Sequence, residues 1–140
     1  MDLDISETTG ACHCGGVTFR VTLADGLHSA RRCNCSFCRM RGAIAVSASS
    51  LDVISGAELL TEYRFNTRAA IHYFCSICGI YTHHQRRADP SKIGVNVACL
   101  DGLSPFDFTE VPVSDGEHHP SDGYAPRTAG RLTYEAFPKD

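Results

Sequence analysis

The chain has 140 residues, a length that suits one domain with a sizeable core. Its 43% hydrophobic and 21% charged residues are those of an ordinary globular protein, and its formal net charge of −3 argues against general nucleic-acid binding. The sequence contains neither a run of roughly eighteen apolar residues, as a membrane span requires, nor a secretory signal. We therefore expect a cytoplasmic protein that binds no membrane and keeps its thiols reduced.

Short segments of alternating polar and apolar residues predict strands along most of the chain. In chain order the predicted strands cover residues 17–23, 43–48, 51–54, 59–65, 70–74, 79–83, 93–100 and 132–137. Residues 101–130 are rich in Pro, Gly, Asp and Ser and predict loops. Because no long helical pattern is present, the sequence predicts an all-β domain with cysteine knuckles at strand ends.

Seven of the eight cysteines fall into three tight clusters. Thiols one or two residues apart suit a shared metal ion, whereas a disulfide between such near neighbours is strained. The outer pairs, Cys12/Cys14 and Cys75/Cys78, are each followed by a glycine that tolerates a tight chelating turn. Together they predict a closed, structural zinc site with four thiolates. A redox dithiol at one pair and a disulfide framework in a secreted protein are the alternatives.

The middle cluster consists of Cys33, Cys35 and Cys38 within one short loop. Three thiolates around Zn²⁺ leave one position open for water or an incoming thiol, which is the arrangement of a catalytic site. The sequence therefore predicts two zinc ions per chain, one structural and one catalytic.

Arg31, Arg32, Arg39 and Arg41 flank the middle cluster. Planar guanidinium groups bind carboxylates well, so Arg39 and Arg41 are candidates for substrate binding. The alternative is a solvated rim whose charge only balances that of the thiolates.

Two pairs of adjacent histidines, His83/His84 and His118/His119, could supply a fourth metal ligand or an acid–base group. Adjacent residues of a strand point to opposite faces, so we expect at most one of each pair to serve. Surface or hydrogen-bonded roles are the alternative. Cys99 lies on the apolar face of its predicted strand and is expected to be a buried core thiol.

Four segments together carry a recognisable pattern, namely GACHCGGV at 10–17, CNCSFCR at 33–39, HYFCSICG at 72–79 and NVACLD at 96–101. The chain resembles the family of glutathione-dependent formaldehyde-activating enzymes and the centromere protein V type domain, from residue 10 to the segment 115–120. The resemblance implies an Mss4-like fold of twisted antiparallel sheets. It also implies a structural zinc and a catalytic zinc at these residues: Cys12, Cys14, Cys75 and Cys78 for the first, and Cys33, Cys35 and Cys38 for the second.

The resemblance further implies an enzyme of the carbon–sulfur lyase class. Its partners would be a small thiol such as glutathione and a small electrophile such as formaldehyde, joined to give S-hydroxymethylglutathione. We expect a tail at residues 1–9 and a single zinc domain at 10–140. Two other functions stay open: a non-catalytic zinc module that binds a protein through residues 101–130, and a metal or redox sensor with a labile site at 33–38.

Overall fold

Strands make up almost all the regular structure of residues 1–87 and 89–139, the part of the chain that the computed structural model describes. Ala88 and Asp140, which belong to the predicted domain 10–140, lie outside the described residues. The one α-helix of the described part, α1, spans Ser36–Arg41. The strands are β1 (Glu7–Ala11), β2 (Thr18–Leu23), β3 (Arg32–Cys33), β4 (Ala45–Ser55), β5 (Leu60–Tyr63), β6 (Ile71–Cys75), β7 (Tyr81–Gln85), β8 (Ile93–Asn96), β9 (Glu110–Ser114) and β10 (Thr128–Thr133).

The strands form two sheets. The larger sheet has seven antiparallel strands in the order β1-β2-β4-β8-β7-β6-β5, and the smaller has the order β10-β9-β3. In the smaller sheet β9 runs antiparallel to β10 and parallel to β3. A bridge between Arg31 and Ala45 joins the approach to β3 to the start of β4. The predicted all-β architecture of antiparallel sheets is confirmed.

The main core lies on one face of the large sheet. Along β2, Phe19, Val21 and Leu23 are buried, whereas Arg20 between them is exposed. The buried residues pack against further apolar side chains of β4 and β8, including Val46 and Val95. Burial of each such side chain contributes about 1.5–3 kcal/mol to the free energy of unfolding. Burial on this face therefore provides most of the free energy that stabilises the fold.

Several predicted strands agree with the structure. Those at 17–23, 70–74 and 79–83 correspond to β2, β6 and β7 with shifts of one or two residues. The predicted break at Ser49 and Ser50 is wrong, because β4 continues through both residues. Ser50 pairs with Thr22 of β2, and the register shift beside Thr22 accommodates the extra residue.

Other predicted boundaries are wrong. The predicted strand 59–65 is confirmed only at β5, since residues 57–59 form a 3₁₀ turn. The strand predicted at 93–100 ends at Asn96, whose side chain accepts a hydrogen bond from the Ala98 N–H at 3.1 Å and begins a 3₁₀ turn. β1 begins at Glu7, inside the stretch 1–9 predicted to be a tail.

The C-terminal third departs most from prediction. Residues 101–130, predicted to be loops, contain β9 and the start of β10, and the strand predicted at 132–137 extends only to Thr133. Pro112 within β9 weakens the strand pattern, and β10 is exposed at all six positions, so it shows no alternation between buried and exposed residues. Among the described residues, no helix has the length and apolar character needed to cross a membrane.

Candidate metal centres

The two outer cysteine pairs meet at one point, although about sixty residues separate them in sequence. One pair lies in the turn between β1 and β2, and the other lies at the end of β6 and in the turn that follows. Their Sγ atoms all lie within 4.8 Å of one another, and the four residues are Cys12, Cys14, Cys75 and Cys78.

The spacing of these sulfurs fits a tetrahedral zinc ion. The Sγ–Sγ distance is 3.6 Å between Cys12 and Cys14 and 3.7 Å between Cys14 and Cys75. Four sulfurs at about 2.3 Å from a central zinc would be about 3.8 Å apart. Soft thiolate donors also suit Zn²⁺. These four residues could therefore hold one metal ion.

Tight turns direct the sulfurs inward. Gly15 and Gly79 have φ angles of 76° and 75°, and each donates its N–H to the carbonyl of the first cysteine in its pair, at 3.1 Å and 2.8 Å. Backbone N–H groups of Cys14 and Ile80 hydrogen-bond to the Cys78 sulfur and lower the pKa of Cys78 to about 6. Backbone donors thus stabilise thiolate, the form that binds metal.

The middle cluster is built at the junction of β3 and α1. Cys33 ends β3, Cys35 is the N-cap of α1 and Cys38 lies in its first turn. Their Sγ atoms also lie within 4.8 Å of one another. The Cys38 N–H donates to Cys35 Sγ at 3.3 Å, so the helix cap itself orients the Cys35 sulfur. The segment predicted to be a loop is therefore partly helical, and its three thiols could hold one metal ion.

The thiols of the middle cluster compete for protons. Hydrogen bonds with Cys33 and then Cys38 lower the pKa of Cys35, whereas the hydrogen bond with Cys35 raises the pKa of Cys33. Hydrogen bonds with Cys33 and Cys35 raise the pKa of Cys38. Three thiolates this close repel one another, and a divalent cation would remove that repulsion. The donor set accordingly fits Zn²⁺ with three protein ligands.

Arg41 contacts both the middle cluster and the aromatic side chains of His72 and Tyr81. Its Nη2 donates to Cys38 Sγ at 3.6 Å, and its Nη1 lies 2.8 Å from His72 Nδ1. The guanidinium carbon lies 3.7 Å from the centre of the Tyr81 ring. Burial and then the charge of Arg41 lower the pKa of His72 to about 4, so its neutral ring accepts the hydrogen bond at Nδ1. Arg41 therefore places a positive charge directly beside the Cys38 sulfur.

A cavity of about 780 Å³ opens beside the middle cluster. Among the described residues, seven guanidinium groups and three carboxylates line it. Two of those carboxylates are paired, Asp115 with Arg127 at 2.7 Å and Asp122 with Arg87 at 2.5 Å. The arginines are Arg31, Arg32, Arg39, Arg41, Arg86, Arg87 and Arg127. The excess of positive charge suits an anionic ligand.

The four histidines that the sequence offers as candidate ligands or acid–base groups lie in different environments. His83 is buried and stacks on Tyr73 with 4.5 Å between ring centres, and burial lowers the pKa of His83 to about 4. His118 contacts Asp115 at 3.1 Å. His84 and His119 line the cavity. Each pair thus contributes one residue to the cavity wall.

The structure also brings in residues that the sequence analysis did not single out. Asn34, between two of the cysteines, and Gly116, far along the chain, both contact the middle cluster or its backbone. The pairing of β3 with β9 brings them together, and no local sequence pattern predicts that pairing. Cys99 is buried and donates to the Tyr81 carbonyl at 3.4 Å, which agrees with the predicted core thiol.

A family described as glutathione-dependent formaldehyde-activating enzyme matches residues 7–111 of the chain. This range contains all seven clustered cysteines and the fold that brings them together. The chain belongs to the glutathione-dependent formaldehyde-activating enzyme family. The resemblance inferred from the cysteine motifs is thereby confirmed for this family, whereas the likeness to the centromere protein V type domain stays a prediction.

One solved structure supports the same fold. The chain is 59% identical to a Rhodobacter sphaeroides protein whose crystal structure was determined as a structural genomics target, with a TM-score of 0.73. The match covers 75% of this chain and 98% of that chain. Residues 112–139, which include one wall of the cavity, lie outside the range matched by the formaldehyde-activating family.

Proposed function

We propose that the protein is a zinc-dependent enzyme of the carbon–sulfur lyase class that makes and cleaves adducts of a small thiol with a small aldehyde. One observation carries the proposal: in a member of the formaldehyde-activating family, the sulfurs of Cys33, Cys35 and Cys38 converge beside an arginine-lined cavity. The thiol would be glutathione or a similar anionic thiol, the aldehyde would be formaldehyde or a close relative, and the location would be cytoplasmic.

Two zinc ions would have different tasks. We assign Cys12, Cys14, Cys75 and Cys78 to a structural zinc, because four thiolates complete a tetrahedral shell. We assign Cys33, Cys35 and Cys38 to a catalytic zinc and name them as the catalytic residues. Bound there, zinc would supply an open position at which a substrate thiol loses its proton at neutral pH.

The proposed reaction needs neither an oxidant nor a reductant, because it only forms a carbon–sulfur bond and moves one proton. In the forward direction the substrate sulfur forms a bond to the carbonyl carbon of the aldehyde, and the π electron pair moves to oxygen. The proton that the thiol lost is transferred to that oxygen, which gives a hemithioacetal, S-hydroxymethylglutathione in the case of glutathione and formaldehyde. In the reverse direction the carbon–sulfur bond breaks, and thiol and aldehyde are released.

The protein's own residues would bind and orient the thiol. Arg39 is exposed on α1 and lines the cavity, so we propose that it pairs with a substrate carboxylate. Arg41 would stabilise the thiolate form of Cys38 through its hydrogen bond and also contribute positive charge toward the substrate. The Phe65 and His72 rings line the same cavity and would limit access of water to the reacting sulfur.

Native mass spectrometry with and without glutathione tests the proposal. We expect two zinc ions per chain and one glutathione bound only when both ions are present. A chain with two zinc ions that binds no glutathione would favour the non-catalytic zinc module. Reversible loss of one zinc on oxidation, again without glutathione binding, would favour the sensor.

A further inference from the structure

The backbone of the middle cluster is attached to a distant segment, residues 114–117. β3 and β9 pair in parallel, with Cys33 opposite Ser114, and the Asn34 N–H donates to the Ser114 carbonyl at 3.2 Å. The Asn34 side chain then accepts two hydrogen bonds at Oδ1, from the N–H of Gly116 at 2.8 Å and from the N–H of Glu117 at 3.1 Å. One side chain between two cysteines therefore holds the far segment against them.

Gly116 packs directly against Cys33 and Cys35. A Cβ added at this position would clash with Cys33 Sγ and would lie 2.8 Å from Cys35 Cβ and 3.2 Å from the Cys35 nitrogen. Distances below 3.0 Å require a neighbour to move, and here the two neighbours this close are Cys33 Sγ and Cys35 Cβ. Residue 116 must therefore be glycine, because the two cysteines leave no room for a Cβ atom.

A buried carboxylate inside the segment, that of Asp115, makes further hydrogen bonds that hold the segment in place. Asp115 is 4% exposed and accepts hydrogen bonds from Arg127 Nε at 2.7 Å and from the His118 N–H at 3.3 Å. The Asp115 N–H in turn donates to the Arg127 carbonyl at 3.0 Å. Each residue of segment 114–117 therefore takes part in at least one hydrogen bond, so the segment is held against the cluster at every position.

We propose that Asn34 and Gly116 are positioning residues of the three-cysteine site. Segment 114–117 covers one side of the sulfurs and fixes Cys33 and Cys35 at the spacing that metal binding needs. The fourth ligand is then restricted to the cavity side. This inference rests on the proposed function, in which these cysteines hold zinc. It also gives the part of the chain beyond residue 111 a role in the site, although the family match ends there.

Chelator titration of the cobalt-loaded 140-residue chain tests the inference, because Co²⁺–thiolate absorption reports each site without any assay of activity. The unmodified protein should bind two Co²⁺ ions. Asn34→Ala and Gly116→Ala should each weaken one of the two sites by about 10–100-fold, the usual effect of removing groups that orient metal ligands. Asn34→Asp keeps an oxygen acceptor for both N–H groups and should retain tight binding.

Gly130→Ala is the matched control. Gly130 lies in β10, and nothing lies within 4 Å of a Cβ added there, so this variant should bind Co²⁺ like the unmodified protein. Unchanged cobalt affinity in both Asn34→Ala and Gly116→Ala would overturn the inference. If Asn34→Ala fails to fold, unchanged affinity in Gly116→Ala alone overturns it. If the unmodified protein binds only one Co²⁺, the proposed function fails, and this inference fails with it.

Discussion

Arg41 and Arg39 lie two residues apart on α1 and have different surroundings. Arg41 contacts Cys38, His72 and Tyr81, whereas Arg39 is exposed at the cavity. The sequence alone treats both as substrate-binding candidates. From these contacts we propose that Arg41 acts mainly on the cysteines and that Arg39 acts on a ligand.

The two arginines should therefore give different kinetic effects. Hydrogen bonds to charged groups contribute about 1.5–3 kcal/mol, so Arg41→Gln should lower kcat by roughly 10–100-fold. Arg39→Gln should raise KM for the thiol with little change in kcat, because only a substrate contact is lost. Steady-state kinetics of adduct formation measures both effects. Equal changes in kcat for the two variants would contradict this separation of roles.

His83 shows how one buried residue couples stability to pH. Burial lowers the pKa of His83 to about 4, below its ordinary value of about 6.5. Between these two values the unfolded chain binds a proton that the folded chain does not, so stability should fall as the pH is lowered through this range. The slope contributed by His83 is at most about 1.4 kcal/mol per pH unit.

The variant His83→Phe should flatten that slope. Denaturant unfolding between pH 7 and pH 4 measures it, and the comparison uses the difference between the variant and the unmodified protein, since both share the acid-sensitive cysteines. A slope that does not change in His83→Phe would show that other groups govern the acid response.

At the level of elements, the turns after β1 and β6 bring four cysteines of two hairpins together, and a metal ion bound there would cross-link the hairpins. Cys12 and Cys75 are buried in a small apolar cluster with Val17, apart from the main core. Since the four cysteines do not converge in the unfolded chain, a metal ion bound there would contribute directly to folding. The middle cluster, by contrast, lies at the edge of a cavity and is only half-buried.

Two serine variants should separate the sites. Cys75→Ser should abolish folding or lower the melting temperature strongly, because it removes one ligand of the cross-link. Cys35→Ser should leave a folded protein that no longer makes the adduct. Circular dichroism melts measure the first effect and an adduct assay the second. Matching melts for the two variants would contradict the division into structural and catalytic sites.

The elements also show what a sequence can predict. A strand with one buried face, such as β2, follows from the alternation of its residues, and the candidate metal ligands follow from the spacing of the cysteines. β10 has no buried face and β9 contains a proline, so neither has a local pattern. The contact of Asn34 with Gly116 depends on pairing between distant strands. The wall of the site could therefore be found only from the fold.

For the whole molecule, the uneven distribution of charge matters more than its total. The chain has a net charge of −3, yet the cavity beside the middle cluster has seven arginines against three carboxylates. A protein that repels polyanions overall can thus attract a small anion to one place. This distribution is consistent with the proposal that the substrate is an anionic thiol.

The rate of exchange between free glutathione and its formaldehyde adduct, followed by ¹³C NMR with labelled formaldehyde, tests the central claim most directly. The zinc-loaded protein should accelerate this exchange over the uncatalysed reaction, and Cys35→Ser should return it to the uncatalysed rate. Zinc-loaded protein that leaves the exchange rate unchanged, or Cys35→Ser protein that accelerates it fully, would contradict the assignment of Cys33, Cys35 and Cys38 as the catalytic site.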